Sequence, residues 1–194
     1  VDSNQYENPS PTPFIHSTHN TIAGQLGLHM KCHGYNITHS NVGACFEAAL
    51  LDALLQESNG WLLVGCVDEN IDWLEKLSSK KSIFNDHPLG EGSNFLAISS
   101  KESNIELADV EVSTADDLNA AIVNFLEKNQ ATDAKVYSNI DLEGAMNYQK
   151  YSGAYLTNSG FGLELAYHQL QAGSALIVNA IHDSQIGLTL LKYA

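Results

Sequence analysis

Basic side chains are scarce: Lys and Arg together number 9 against 23 Asp and Glu, a formal net charge of -14. No basic stripe interrupts that imbalance anywhere along the chain. Such a surface repels phosphate backbones and anionic lipid, which argues against nucleic-acid and membrane partners. Cysteine is sparse too. Cys32, Cys45 and Cys66 are odd in number and irregularly spaced, which argues against a disulfide framework and for a reducing, cytoplasmic setting. No apolar run approaches the roughly 20 residues a membrane span needs, and no charged-then-apolar leader opens the chain. It begins at Val1 without methionine, so an N-terminal portion removed or left out of this numbering is one expectation. There is no internal repeat and no low-complexity segment.

What is present is enough for one core. The chain has 194 residues and 44% hydrophobic content, which suits a single domain over 1–194 and is too little for two comfortable ones. Prolines from Pro9 to Pro13 make the opening an irregular lead-in. Thr21 to Met30 has helical apolar spacing, with Asn20 or Thr21 as cap. Tyr35 to His39 reads as a short strand and Phe46 to Leu55 as a buried helix. Trp61 to Val67 is a continuous apolar run, predicting a central strand buried on both faces. A short helix over Ile71 to Leu77 and a polar loop over Ser78 to His87 follow. Asn94 to Ser99 and Ile105 to Val112 are further strands, the second alternating less cleanly. Thr114, Ala115 and Asp116 open an amphipathic helix carrying Leu118, Ala121, Ile122, Phe125 and Leu126. Lys135 to Asn139 is a strand, Gly162 to Gln171 a helix ended by Gly173, and Ala175 to Ile181 with Gly187 to Lys192 a closing strand pair. The alternation gives an α/β layered fold with a mixed sheet flanked by helices.

Gly34 to Leu55 carries the clearest chemical signal: a strand, a tight turn, and Cys45 in the first turn of an apolar helix. Unpaired N–H groups and a partial positive charge at a helix N-terminus stabilise a thiolate, so a cysteine nucleophile is one reading of Cys45.

Four segments then fall in the order of the ketosynthase branch of the thiolase superfamily. Asn20 to Leu28 with Gly34 to Leu55 resembles that family's strand, nucleophile turn and buried helix. Trp61 to Asp68 resembles its strand ending in a Gly-Gly-x-Asp-like signature. Leu89-Gly-Glu-Gly-Ser-Asn-Phe-Leu-Ala-Ile98 resembles the "LGEGA" loop and strand, the most specific of the matches. Ser152 to Ala166 and Ala175 to Asn179 resemble the late histidine-bearing helix and closing strands. The run from Pro11 to Gln25 points further, to the short ketosynthase-like subgroup of aryl polyene and flexirubin-type pigment clusters. The resemblance implies an abridged thiolase-like fold.

It also implies a catalytic set of one cysteine and two histidines, against which this chain departs in four places. Counting back from Val64 and Gly65 puts the nucleophile position nearer Gly43 than Cys45, and two residues on a helix are about 200° of rotation. The first histidine loop reads Lys135-Val-Tyr-Ser-Asn139, with Asn139 or Ser138 where histidine is expected. The second histidine follows a glycine in the family, and Gly153 is followed here by Ala154. The glycine-rich hairpin that donates an oxyanion-hole N–H is replaced by Ile181-His-Asp-Ser-Gln-Ile186.

Other constellations have quieter readings. His29, Cys32, His33 and His39 cluster in sequence, but without a paired C-x-x-C anchor they read as loop histidines rather than a metal site. His16 and His19 are either an acid/base pair or residues that hold loop backbone or a subunit contact. Gly90 and Gly92 flank a glutamate without the Lys and Ser/Thr of a phosphate cradle, so turn geometry explains them better. Cys66 reads as a core residue, and Glu102, Glu106, Asp109 and Glu111 as a solvated face.

Two functions follow from the resemblance. One is a non-catalytic, chain-length-factor-like subunit supporting a partner ketosynthase, without cofactor or metal. The other is an active 3-oxoacyl-[acyl-carrier-protein] synthase or acyltransferase using Cys45 with His16, His19 or His182. Thiolase-type halves bury an open edge by pairing subunits, so a homodimer or a heterodimer with a ketosynthase is expected, with an acyl carrier protein as a further partner.

Overall fold

The computed structural model describes residues 18–40, 43–56, 60–72, 76, 87–181 and 184–194. The opening prolines, His16, His182, most of the segment from Ile71 to Leu77 and nearly all of the loop to His87 lie outside them. The chain divides into two units, Val1–Ser40 and Asn41–Ala194.

In the first unit, α1 (Thr21–His29) forms as the periodicity predicts and buries none of its residues. Asn20 precedes it without capping; its side chain instead accepts from Thr38 Oγ1 at 2.8 Å. Asn36 Nδ2 donates to the Ala23 carbonyl at 2.9 Å. These side-chain bonds correct the strand expected over Tyr35 to His39: the segment is tied to α1 and its neighbours by side chains and pairs in no ladder.

The second unit is layered. Strands β1 (Trp61–Asp68) and β2 (Gly92–Ser99) form an antiparallel pair. A mixed five-stranded sheet has the order β3 (Ile105–Thr114), β7 (Gln185–Tyr193), β6 (Ser174–Ala180), β4 (Lys135–Ser138), β5 (Met146–Asn147). Here β4 runs parallel to β5 and β6, while β6–β7 and β7–β3 are antiparallel. Helices α2 (Cys45–Leu55) and α5 (Ser159–Gln169) touch both sheets and fill the space between them. On the far face of the large sheet lies α3 (Leu118–Lys128), and the short α4 (Gln149–Ser152) follows β5.

Alternation along β6 shows why this sheet is central. Ala175 and Ile177 face a core with Phe46, Leu50, Leu163 and Ala166, whereas Leu176 and Val178 face a second core with Ile122, Phe125 and Leu126. Both faces are covered, so the closing strands read as continuous apolar runs. The same reasoning misleads at β1. Val64 and Cys66 are buried, but Trp61 is 65% exposed, Leu63 53% and Val67 42%. An apolar run predicted burial on both faces; β1 has one ladder partner, β2, and its outer face is uncovered among the described residues.

β3 is an edge strand and carries its own protection. The register against β7 shifts between Leu107 and Asp109, a bulge at Ala108 that accounts for the uneven alternation read from the sequence. The acids there are not simply solvated. Lys128 Nζ lies 3.0 Å from Asp109 Oδ2 and 3.7 Å from Glu111 Oε2, and Asn129 Nδ2 donates to Asp109 at 2.9 Å. Burial pushes the Asp109 carboxyl up, but hydrogen bonds from Asn129 and Lys128 outweigh it and hold the group below its usual value. A bulge, acidic side chains and a lysine paired with them are devices that keep an edge from pairing.

α3 starts later than its sequence signal suggests. β3 extends through Thr114, and Asp117 caps the helix by accepting from the Ala120 N–H at 3.1 Å. An Asp117→Ala variant should lose about 1 kcal/mol in a urea titration, the usual worth of such a cap. A change under about 0.3 kcal/mol would mean that helix packing alone fixes this end.

Candidate functional site

The turn into α2 is built from two consecutive left-handed residues. Gly43 has φ +100° and Ala44 φ +36°, and Ala44 is buried. A Cβ on Gly43 would lie 2.3 Å from Ile181 Cγ2, so the turn sits hard against the end of β6. Cys45 is the first residue of α2 and is partly buried.

Asn139 reaches the same strand end from β4. Its Oδ1 accepts from the Ala180 N–H at 2.8 Å, while Nδ2 donates to the Ala180 carbonyl at 2.8 Å and to Asn179 Oδ1 at 3.2 Å. Every polar atom of that amide is engaged. Gly43 and Asn139, two of the positions the sequence marks as vacated, are thus brought to adjacent residues, Ile181 and Ala180. Asn179 continues the network: its Nδ2 donates to Glu47 Oε1 at 2.9 Å and lies 3.4 Å from Ser159 Oγ.

Ala154, the third position that the resemblance marks as vacated, is held elsewhere by backbone. Its N–H donates to the Pro88 carbonyl at 2.9 Å and its carbonyl accepts from the Gly90 N–H at 3.1 Å. Here the two loops run backbone to backbone. A Cβ on Gly90 would lie 2.2 Å from the Ser152 carbonyl oxygen, and one on Gly153, at φ +73°, 2.8 Å from Gly90 Cα. Close approach, rather than a turn at Gly90 and Gly92, is what requires glycine in that loop. Beyond it, Asp68 Oδ2 accepts from both the Thr157 N–H at 2.8 Å and its Oγ1 at 2.6 Å, anchoring the entry to α5 on the end of β1.

Cys66 lies in the core, where burial pushes its thiol up to about 11. His19 belongs to the first unit, exposed in the turn before α1. His29, Cys32 and His33 are exposed and His39 half-buried; among the described residues no three His, Cys, Asp or Glu converge in a way that could hold a metal. No described helix is long and apolar enough to cross a membrane.

The residues that sequence reading missed are Glu47, Asn179 and Ser159. Glu47 had a visible signal, since a carboxylate one turn before Leu50 and Leu51 sits on the buried stripe of an otherwise apolar helix. Asn179, which follows the apolar run Ala175 to Val178 in β6, is the other polar interruption.

No protein-family model matches the chain, and no curated protein does. Solved structures do. The ishigamide ketosynthase/chain length factor superposes with a TM-score of 0.69 at 14% identity, over 98% of this chain and 67% of its own. The fold is thiolase-like, of the ketosynthase/chain length factor kind. A second structure with this fold is AntDE:AntF, a type II PKS acyl-carrier protein (apo) in complex with its ketosynthase bound to the hexaketide. It matches with a TM-score of 0.69 at 15% identity, over 91% of this chain and 65% of its own. The chain spans about two thirds of the length of the solved structures it matches.

Proposed function

We propose that this chain is a non-catalytic, chain-length-factor-like subunit that supports a partner ketosynthase in cytoplasmic polyene or fatty-acid-type biosynthesis of the aryl polyene and flexirubin kind. The observation that carries the reading is Asn139. At a position where the resemblance calls for a histidine facing substrate, its amide is fully engaged by Ala180 and Asn179 and has no donor left for an oxyanion. Gly43 supports it, because the turn that would present the nucleophile is closed by Ile181. The reading needs no cofactor or metal. Its partner is a ketosynthase in a heterodimer, in preference to a second copy of this acidic chain. A carrier protein would dock on that partner, since two acidic surfaces repel.

A second reading, an active acyltransferase using Cys45, is favoured by one observation: Cys45 opens α2, and the positive end of a helix favours a thiolate. The two separate in one experiment. The chain is co-expressed with a full-length ketosynthase and its carrier protein, and product length and acylation are read by mass spectrometry. The subunit reading expects co-purification, a shift in product length when the chain is omitted, and no change with Cys45→Ala. An acyl mass on Cys45, lost together with activity in Cys45→Ala, overturns it.

A further inference from the structure

Four elements close on the Glu47 carboxyl, which is only 1% exposed. It stands in the first turn of α2 and lies against Gly187 of β7, where an added Cβ would come within 2.7 Å of its Cγ and Cδ. Asn179 of β6 donates to Oε1 at 2.9 Å, and the hydroxyl of Ser159, at the start of α5, adjoins that amide. Oε2 is buried without a hydrogen-bond partner among the described residues. Among the described residues, no lysine or histidine forms an ion pair with it. A carboxylate in such a place would carry the cost of desolvation with only neutral donors to offset it, whereas a neutral acid avoids that cost.

We propose that Glu47 is a proton-held latch: the first turn of α2 stays seated on the β6–β7 hairpin while the carboxyl is neutral and is released when it ionises. Burial raises the group above the 4.5 of an ordinary glutamate, with hydrogen bonds from Ser159, its own backbone N–H and Asn179 opposing but not cancelling the rise. The titratable groups facing it are the Cys66 thiol of β1, pushed by burial to about 11, and the Tyr148 phenol, pushed by burial well above 10. Both remain neutral while Glu47 titrates. Asn179, Ser159 and Gly187 carry no charge, so the latch is governed by one proton.

The direction follows from linkage. The unfolded chain releases this proton near 4.5 and the folded chain only at higher pH. The stability Glu47 contributes is therefore whole below that pH and is lost as pH rises towards the folded-state value. Across that window the unfolding constant gains about tenfold per pH unit from this group alone. Because Gly43 and Glu47 share the turn, release would also loosen the contact with Ile181.

The test compares the whole chain with Glu47→Gln, which keeps the shape and removes the proton. Urea unfolding from pH 4.5 to 8.5 should show the wild type losing stability relative to Glu47→Gln at the stated slope; the subtraction cancels self-repulsion of the other acids. Amide exchange at 43–47 and 185–187 should quicken with pH in the wild type and not in the variant. On the wild type itself, infrared spectroscopy should find a protonated carboxyl above the pH at which exposed glutamates have ionised. This covers the case in which the variant does not fold. Parallel slopes in the two proteins, or no protonated carboxyl in that range, overturn the latch. None of these readouts depends on a partner ketosynthase, so the latch and the subunit reading fail separately.

Discussion

Placing cysteine at Gly43, the position the family resemblance assigns to the nucleophile, is expected to cost about 2 to 5 kcal/mol of stability and to yield no acyl transfer. Two costs add. A side chain at φ +100° is held in a left-handed region that L-residues avoid, worth about 1 to 2 kcal/mol. The new Cβ would also lie 2.3 Å from Ile181 Cγ2, and overpacking of this kind costs about 1 to 3 kcal/mol. Urea midpoints of Gly43→Cys and Gly43→Ala measure the sum. Trimming the obstacle with Ile181→Ala separates the parts: in the double variant Gly43→Ala should recover the steric share and keep the backbone share. Additive losses would mean that Ile181 already moves aside. An active Gly43→Cys enzyme would mean that the turn is a nucleophile site lacking only its thiol.

Asn139→His, the other restoration the family pattern invites, is expected to destabilise the fold by about 2 to 4 kcal/mol and to leave acyl transfer absent. The amide matches both backbone groups of Ala180, accepting from its N–H and donating to its carbonyl, while the same Nδ2 serves Asn179. An imidazole has neither the geometry nor the donor count to replace all three bonds. Each buried group left unpaired costs about 1 to 3 kcal/mol. Asn139→Asp should be no milder, because it removes the donors and sets a carboxylate against the Asn179 and Ala180 oxygens. Denaturant unfolding of both variants gives the numbers. A His variant as stable as the wild type would show that the Ala180 contact is dispensable and the position open to function.

How much of this could be read in advance varied with the kind of information each residue carries. The closing strands around Leu176 and Leu188 and the start of α2 at Cys45 were legible, because local periodicity and burial agree there. Trp61 to Asp68 was read as a strand correctly and as two-sided incorrectly, since an apolar run reports composition and not how many neighbours arrive. Tyr35 to His39 has strand-forming residues whose Asn36 and Thr38 side chains find α1 instead, a choice made by residues more than ten positions away. At the candidate site, the absence of histidine at Asn139 and Ala154 could be seen in the letters. What fills the space could not. That Asn139 is held by Ala180, and that Glu47 lies under the same strand end, depends on pairings across 41 and 132 positions of chain.

The bulge at Ala108 bears on how this chain's length can drift. Leu107 and Val110 face the same core, with Ala108 and Asp109 both accommodated between them, so β3 holds one residue more than its partner without inverting either face. A single deletion there would leave a strictly alternating strand with the same residues inward. Insertions and deletions of one residue elsewhere in β3 would turn the core-facing set out to solvent. Ala108 is therefore the position where relatives of this chain can differ in length by one residue and still share a core, and where an alignment should place its gap.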